Sequence, residues 1–491
     1  MDEVAGQCRA HLPTTYRERR PSLMTMLNGS ISHWMHQLPP ISPSGENATP
    51  AGSPEGRHFD LLVVGGGFTG LWTAYYAKRL DPGLSIAVLE AEQVGYGASG
   101  RNGGWLSALI PGNRAVYARS SPGGIGSVRD FQQELFASVD EVLQVCADEG
   151  IDADQHRGGN LVVATTPAGL TRLDARRAAD LRFGYAGRDV VRLDEDAVRE
   201  RVAVAPARGG LYYPDVARID PAKLVVGLAD RLRQAGVRIS EGTRVVEISS
   251  GRVATPDGVV TADKVVCATE GYSGPLLGDR TVIPINSSMV VTEPLPDDCW
   301  DRIGWRDGEC LSDSAHTFVY AQRTADGRIA IGGRGRPYRF RSGTGGSGDT
   351  HRRTVEELRG RLEQFFPGLD FPIAHAWSGV LGVTRDWCAG VRWDPAARVG
   401  SIRGYAGHGV TATNLAARTV VDRAFERRTP LVDLPWNEHD SGRWEPEPLR
   451  WVGVHSMYRL FRLADDWEER RQSRRTSLLA EVGSRLAGLH E

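Results

Sequence analysis

The chain has 491 residues, too many for one compact core and enough for two or three domains. Its 59 Lys and Arg balance 61 Asp and Glu, for a formal net charge of −2, so electrostatics gives no reason to expect nucleic acid or an anionic membrane as partner. No uncharged apolar run approaches the roughly 20 residues of a membrane span. The scattered cysteines Cys8, Cys146, Cys267, Cys299, Cys310 and Cys388 form no CxxC, which argues against a zinc site or disulfide framework and suits a cytoplasmic, reducing setting. Residues 1–58 are rich in Pro, Ser and Gly and carry no signal-peptide core with a cleavage site. A mobile tail is expected over residues 1–30, with Met24 or Met26 as the expected start.

Asp60 to Val64 is a short apolar run rich in β-branched residues, the pattern of a buried strand. It runs into Gly65-x-Gly67-x-x-Gly70, with Phe68 and Thr69 between the glycines, and a helical pattern follows until Asp81-Pro82-Gly83. Leu84 to Leu89 is a second apolar strand and ends on Glu90, followed by Ala91. This order is that of a dinucleotide-binding unit. Gly65 allows a tight turn, Gly67 lets backbone approach a pyrophosphate, and Gly70 lets helix pack on strand. The helix N-terminus favours phosphate charge, and Glu90 stands where a carboxylate accepts ribose hydroxyls. Residues 95–104 hold five glycines in ten, including Ala98, Ser99, Gly100, Arg101, Asn102, Gly103 and Gly104, and cannot form a stable helix or strand interior. A second backbone-rich loop directly after the acid points to a cofactor longer than the first half of NAD.

Farther on, Val128–Glu149 has helical spacing with Gly150 as a C-cap. Arg157 begins a turn into a strand, and the Arg- and Ala-rich stretch Leu170–Tyr185 reads as a solvated surface helix. Asp220-Pro221 opens a helix reaching Gln234. A strand pair is expected within Val237–Ile248 and a further strand over Gly258–Ala268. Pro284–Pro294 and Phe318–Gly333 read as antiparallel strands with a turn at Asp326-Gly327. Arg336–Gly348 is expected to be mobile and Val355–Phe366 to be an amphipathic helix. Gly404 to Gly409 is a glycine loop opening a helix at Thr411, and the Arg-rich run Glu468–Arg475 reads as a surface helix because acids are interspersed.

Together, GGGFTGLWTAYY, VLEAEQVGYGASGRNGGW and GYAGHGVTATNLAAR resemble the FAD-dependent D-amino-acid oxidase/glycine oxidase superfamily, nearest to its γ-glutamylputrescine oxidoreductase-like amine oxidases. The resemblance spans about residue 31 to the C-terminus. It implies an α/β fold: a Rossmann-like FAD-binding domain joined to a β-sheet-rich α+β substrate domain. The implied segments are a lead segment over 31–58, FAD-binding parts over 59–155, 216–280 and 381–430, substrate-domain parts over 156–215 and 281–380, and a C-terminal helical extension over 431–491. Ser32–Pro39 resembles the lead segment of the family and should pack through Trp34. Backbone at Val246 is implied to hold the adenine edge. Ala268, Thr269 and Gly271 lie in ATEGY, where relatives carry Asn in place of Glu270, and the glycine is expected to let the chain pass close to the cofactor. Gly407, His408, Gly409, Val410 and Thr411 are implied to face the flavin N1–C2=O edge, where a helix dipole stabilises the reduced anion.

The implied chemistry is hydride transfer from a C–H beside nitrogen to flavin N5, giving an imine that hydrolyses and H2O2 from O2. His408 and Trp105 are the candidates for contact with flavin or substrate. No side-chain nucleophile and no metal is expected. Trp105 stands where some relatives carry a linking histidine, and Cys388 occupies no known attachment position, so FAD is expected to be non-covalent. The substrate is expected to be a small amine or amino acid; the oligomeric state is left open. The alternatives are a dehydrogenase passing electrons to a quinone or carrier protein, a flavoprotein part of a nucleic-acid-modifying enzyme, and a non-catalytic flavin-binding protein.

Overall fold

The computed structural model describes residues 26–39, 54, 56–333, 335 and 337–487; Cys8, Met24, Arg336 and most of the expected tail lie outside them. Leu27 and Asn28 pair in parallel with His375 and Ala376, so the last residues expected to be mobile are in fact held in a sheet. Ser32 then caps α1 (His33–Gln37) by accepting the Met35 N–H. Trp34 is 3 % exposed and donates its indole N–H to the Asn102 carbonyl at 2.9 Å, which pins this short helix on the glycine-rich loop.

The apolar runs form strands buried on both faces, as a covered parallel sheet requires. β1 (His58–Val64) leads through α2 (Phe68–Leu80) to β2 (Ile86–Leu89), and β3 (Arg238–Ser240) and β4 (Gly258–Cys267) join on either side. β5 (Val399–Arg403) pairs in parallel with the end of β4. The strand pair expected within Val237–Ile248 does not form. β3 pairs with β2, and Glu247–Ser249 pairs instead with Arg252–Thr255. Between these segments the chain leaves for a second, mixed sheet of nine strands among the described residues. That sheet is built around the long pair Val282–Thr292 and Ile373–Thr384, and the expected hairpin is present as Tyr320–Arg323 and Ile329–Gly333. Ile373–Thr384 runs unbroken across the expected boundary at 380/381.

Three helices meet at the site. α3 (Pro167–Arg182) is capped by Thr166 with Pro at its first position, α4 (Gly409–Ala424) packs on α2, and α5 (Leu449–Arg471) crosses from the C-terminal extension. The Arg-rich stretch is therefore the end of a 23-residue helix, and Arg474 and Arg475 lie beyond it. It is more than a surface helix. Glu468 is 1 % exposed and accepts from Arg172 of α3 at 2.6 Å, His316 at 3.0 Å and the Ser477 N–H at 3.1 Å. Burial alone would raise this carboxyl, but the His316 and Arg172 bonds outweigh it and hold the pKa down to about 2. No helix among the described residues is long and apolar enough to cross a membrane.

Removing one partner of a buried ion pair leaves an uncompensated charge. Glu468→Ala should therefore cost about 3–5 kcal/mol in chemical unfolding. The contribution of this carboxylate is present above the ordinary carboxyl pKa and fades as pH falls toward 2. The difference between wild type and variant should narrow in acid.

Candidate flavin and substrate site

Register decides where the loops emerge. Val64 lies beside Leu89 and Cys267, Leu89 beside Ser240, and Cys267 beside Ser401. Gly65, Glu90, Ala268 and the loop after β5 thus leave one carboxyl edge of the sheet, where open α/β sheets bind ligands. Gly65 has φ +112°, and a Cβ there would stand 2.6 Å from the Ala268 carbonyl oxygen. A Cβ on Gly70 would stand 1.9 Å from the Gly65 oxygen. Gly67 caps α2 without a side-chain bond. The Phe68 N–H donates to Ser99 Oγ at 2.8 Å, and the Thr69 hydroxyl lies 3.1 Å from the Tyr405 hydroxyl.

Glu90 Oε2 accepts the Gly66 N–H at 2.7 Å and Oε1 accepts the Glu92 N–H at 3.0 Å. Burial raises this carboxyl above its ordinary pKa, with the two N–H donors opposing. Ala91 begins the turn that follows. The Val246 side chain is exposed and its N–H is spent on the Ala254 carbonyl at 2.9 Å, which confines the expected adenine contact to its carbonyl. Thr269 bonds Ser273 at 3.0 Å. A Cβ on Gly271 would stand 2.8 Å from Val380, so this glycine admits the Ile373–Thr384 strand.

The glycine-rich loop is held mostly by its own polar side chains. Arg101 donates to the carbonyls of Tyr96, Ser378 and Gly346, which ties down the stretch before Gly348 that was expected to be mobile. Asn102 Nδ2 donates to the Ala98 and Ser99 carbonyls, and its Oδ1 accepts the Gly104 N–H. Cβ atoms on Gly100, Gly103 and Gly104 would meet the Gly95 oxygen, Tyr320 and the Ile219 oxygen within 2.7 Å. These glycines let protein pack on protein and bring Trp105 to the cavity wall. The Trp105 indole N–H is buried without a partner, and its ring stands edge-on to Tyr320.

The loop that opens α4 lines the same cavity. Its N-cap residue, His408, makes no side-chain cap, so the first-turn N–H groups of Gly409, Val410 and Thr411 have no intrahelical acceptor. Gly407, His408, Val410 and Thr411 all line the cavity, and Thr411 Oγ1 is buried without a partner. The His408 side chain is exposed and lines this cavity. Desolvation, then the Arg176 charge, hold its pKa down to about 4, so the ring is neutral at pH 7. Behind the loop, Glu270 Oε1 accepts the Tyr405 N–H at 2.9 Å while Oε2 has no partner. A Cβ at Gly382 would overlap Glu270 Oε2, so that glycine makes the room for the acid. Burial pushes Glu270 up to about 7, against the backbone N–H bonds and Arg403.

The cavity volume is about 1210 Å³, above the usual range for one small ligand and sufficient for a flavin ring with a substrate beside it. Arg172 and Arg176 of α3 line it, so the expected solvated surface helix is a cavity wall. Val454, Met457 and Phe461 of α5 close the far side, and Asn286 contributes two side-chain atoms without partners. Sequence reading missed these residues because they come from distant elements. It also missed that His439 meets Asp386 and Cys388. Asp386 there accepts from His439 at 2.8 Å, Ser441 at 2.7 Å and the Cys388 N–H at 3.2 Å, while burial raises the Cys388 thiol.

The family model described as FAD dependent oxidoreductase (DAO) matches residues 60–423. The chain belongs to this family. It is 31 % identical to gamma-glutamylputrescine oxidoreductase of Escherichia coli over 80 % of this chain and 91 % of that protein, and 31 % identical to the probable oxidoreductase OrdL of Rhizobium meliloti over 77 % and 86 %. Glycine oxidase from Geobacillus kaustophilus superposes with a TM-score of 0.63 at 22 % identity, covering 78 % of this chain and 99 % of that one. The DAO fold and an FAD-dependent oxidoreductase activity follow. The uncapped helix, the tight glycine turn and the half-buried Glu90 fit FAD. Residues 424–487, including α5, lie outside the family match.

A folded-state pKa raised from 4.5 to about 7 means that Glu270 favours folding at low pH and that this gain is lost as pH rises through 7. Glu270→Gln has no such titration. Its melting temperature relative to wild type should rise from about pH 4.5 to about pH 8, checked by calorimetry of the flavin-loaded proteins.

Proposed function

We propose that the chain oxidises the C–N bond of a small amine or amino acid and reduces O2 to H2O2, with FAD held non-covalently. Bound FAD supplies the hydride acceptor, and the imine formed then hydrolyses to a carbonyl compound. The observation that carries this reading is that the uncapped N-terminus of α4 and Trp105 line one cavity. In that geometry the N–H groups of Gly409, Val410 and Thr411 supply positive potential beside the ring edge. His408 is neutral at pH 7, so it orients by hydrogen bonding and adds no fixed charge. Trp105 and the apolar face of α5 exclude water and align the substrate C–H. Gly65, Gly67, Gly70 and Glu90 hold the pyrophosphate and ribose.

Two findings support non-covalent FAD. Cys388 does not line the cavity, and its Sγ faces the Asn113 carbonyl. Trp105 has no group able to form such a bond. The named activities of the relatives, on gamma-glutamylputrescine, sarcosine and glycine, support an amine or amino acid as substrate.

Acid-denatured protein should release its yellow colour to the supernatant. Under anaerobic conditions at least one amine or amino acid should bleach the flavin, and air should then yield one H2O2 per turnover. Bleaching without peroxide would identify a dehydrogenase instead. Gly409→Pro removes one N–H at the ring edge and should lower the two-electron potential by roughly 20–45 mV, a loss of about 1–2 kcal/mol on the reduced state. It should also weaken sulfite binding, and His408→Ala should do less to both.

A further inference from the structure

The loop after the long strand Ile373–Thr384 has two faces. Arg385 and Trp387 line the cavity, and Asp386 and Cys388 do not. Trp387 has φ +65°, a left-handed value that a bulky side chain takes only where its surroundings impose it. The kink lets the Cys388 N–H reach Asp386 Oδ1 at 3.2 Å. It also brings both side chains to His439, which lies 53 positions beyond Asp386 and outside the family match. A carboxylate oxygen of Asp386, the Cys388 Sγ and a ring nitrogen of His439 all lie within 4.8 Å of one another, as no other group of three such side chains does among the described residues.

Thiolate, imidazole and carboxylate are the donors zinc takes, at bond lengths of about 2.0–2.3 Å. Tetrahedral bonds of that length set neighbouring donors about 3.3–3.6 Å apart. The 2.8 Å between His439 Nε2 and Asp386 Oδ2 needs to open by only about half an ångström to admit the ion. The outer shell is already built. Asp386 Oδ1 accepts from the Ser441 hydroxyl at 2.7 Å and from the Cys388 N–H, which leaves Oδ2 for the metal. The Thr384 hydroxyl donates to the Cys388 carbonyl at 2.9 Å and the Tyr117 hydroxyl to the Ala389 carbonyl at 2.8 Å, so the backbone beside the thiol is fixed. The Sγ itself stands 3.7 Å from the Asn113 carbonyl, a weak thiol hydrogen bond that little opposes a change of partner. The His439 side chain is 6 % exposed and that of Asp386 24 %, so the site is sheltered and still has a way in.

We propose that Asp386, Cys388 and His439 form a zinc site that fastens the C-terminal extension to the cofactor domain, with a water molecule as fourth ligand. On binding, the Cys388 S–H bond gives way to an S–Zn bond and the proton passes to solvent. No oxidation state changes. Because Arg385 and Trp387 flank Asp386, the ion also steadies part of the cavity wall.

The test uses FAD-loaded protein stripped with a chelator and then titrated with Co2+ alone or Zn2+ alone. Wild type should take up one Co2+ per chain. Its difference spectrum should show a thiolate-to-cobalt charge-transfer band, with d–d bands of four-coordinate cobalt at wavelengths beyond the flavin absorption. Zn2+ should displace the cobalt and raise the melting temperature. Cys388→Ser should lose the charge-transfer band and at least tenfold in Zn2+ affinity, read by competition with a chromogenic chelator. His439→Gln can still donate to Asp386, so an equal loss there marks a ligand and not a hydrogen-bond clamp. Cys299→Ser, at a half-buried thiol elsewhere, and Cys8→Ser should match wild type. Should Cys388→Ser fail to fold, His439→Gln decides. Less than one cobalt per chain, a charge-transfer band that survives Cys388→Ser, or a loss of Zn2+ affinity below tenfold in His439→Gln overturns the proposal.

Discussion

The site depends on one register. Because Val64, Leu89, Ser240, Cys267 and Ser401 lie side by side, the loops that follow them are delivered to a single edge. The edge is tight enough to tolerate only glycine at two points. A Cβ on Gly70 would sit 1.9 Å from the Gly65 oxygen, and one on Gly65 would sit 2.6 Å from the Ala268 oxygen. A side chain at either point would push helix from strand, and with them the amide groups available to a pyrophosphate would move. The placement of Glu90 and of the α4 loop follows from the same five aligned strand ends.

On that frame the electrostatics divides by distance from the sheet. Close to it, charge is supplied by backbone: N–H groups hold Glu90, an N–H holds Glu270, and the first turn of α4 is left uncapped. Farther out, the cavity is walled by arginines from α3 and closed by α5, a helix from beyond the family match. The Arg172–Glu468–His316 cluster joins these two walls. A helix outside the family match thus shapes the cavity, while the cofactor edge lies within that match. Neutral His408 adds no charge of its own to the helix N-terminus.

Much of the cofactor half was legible in the sequence because its signals are local. GxGxxG, an acid one strand later and a glycine loop opening a helix are short, and each states a backbone requirement. The Asp220 cap and the Asp326-Gly327 turn are of the same kind, and both are present. The cavity half was illegible because its residues are joined only by packing. Leu170–Tyr185 reads as solvated from its arginines, yet Arg172 meets an acid 296 positions away. At Gly271 the pattern shows that close approach is needed but not what approaches, and Val380 is one such neighbour. TRVVEI has strand-like residues, but only Glu247–Ser249 finds a partner.

The most direct test of this account is a crystal structure of the protein with FAD bound. The account predicts the ribose hydroxyls on Glu90, the pyrophosphate over Gly67, and the N1–C2=O edge within hydrogen-bond reach of the Gly409–Thr411 N–H groups, with Trp105 across the cavity. A flavin ring outside the cavity, or turned with that edge away from α4, would contradict it.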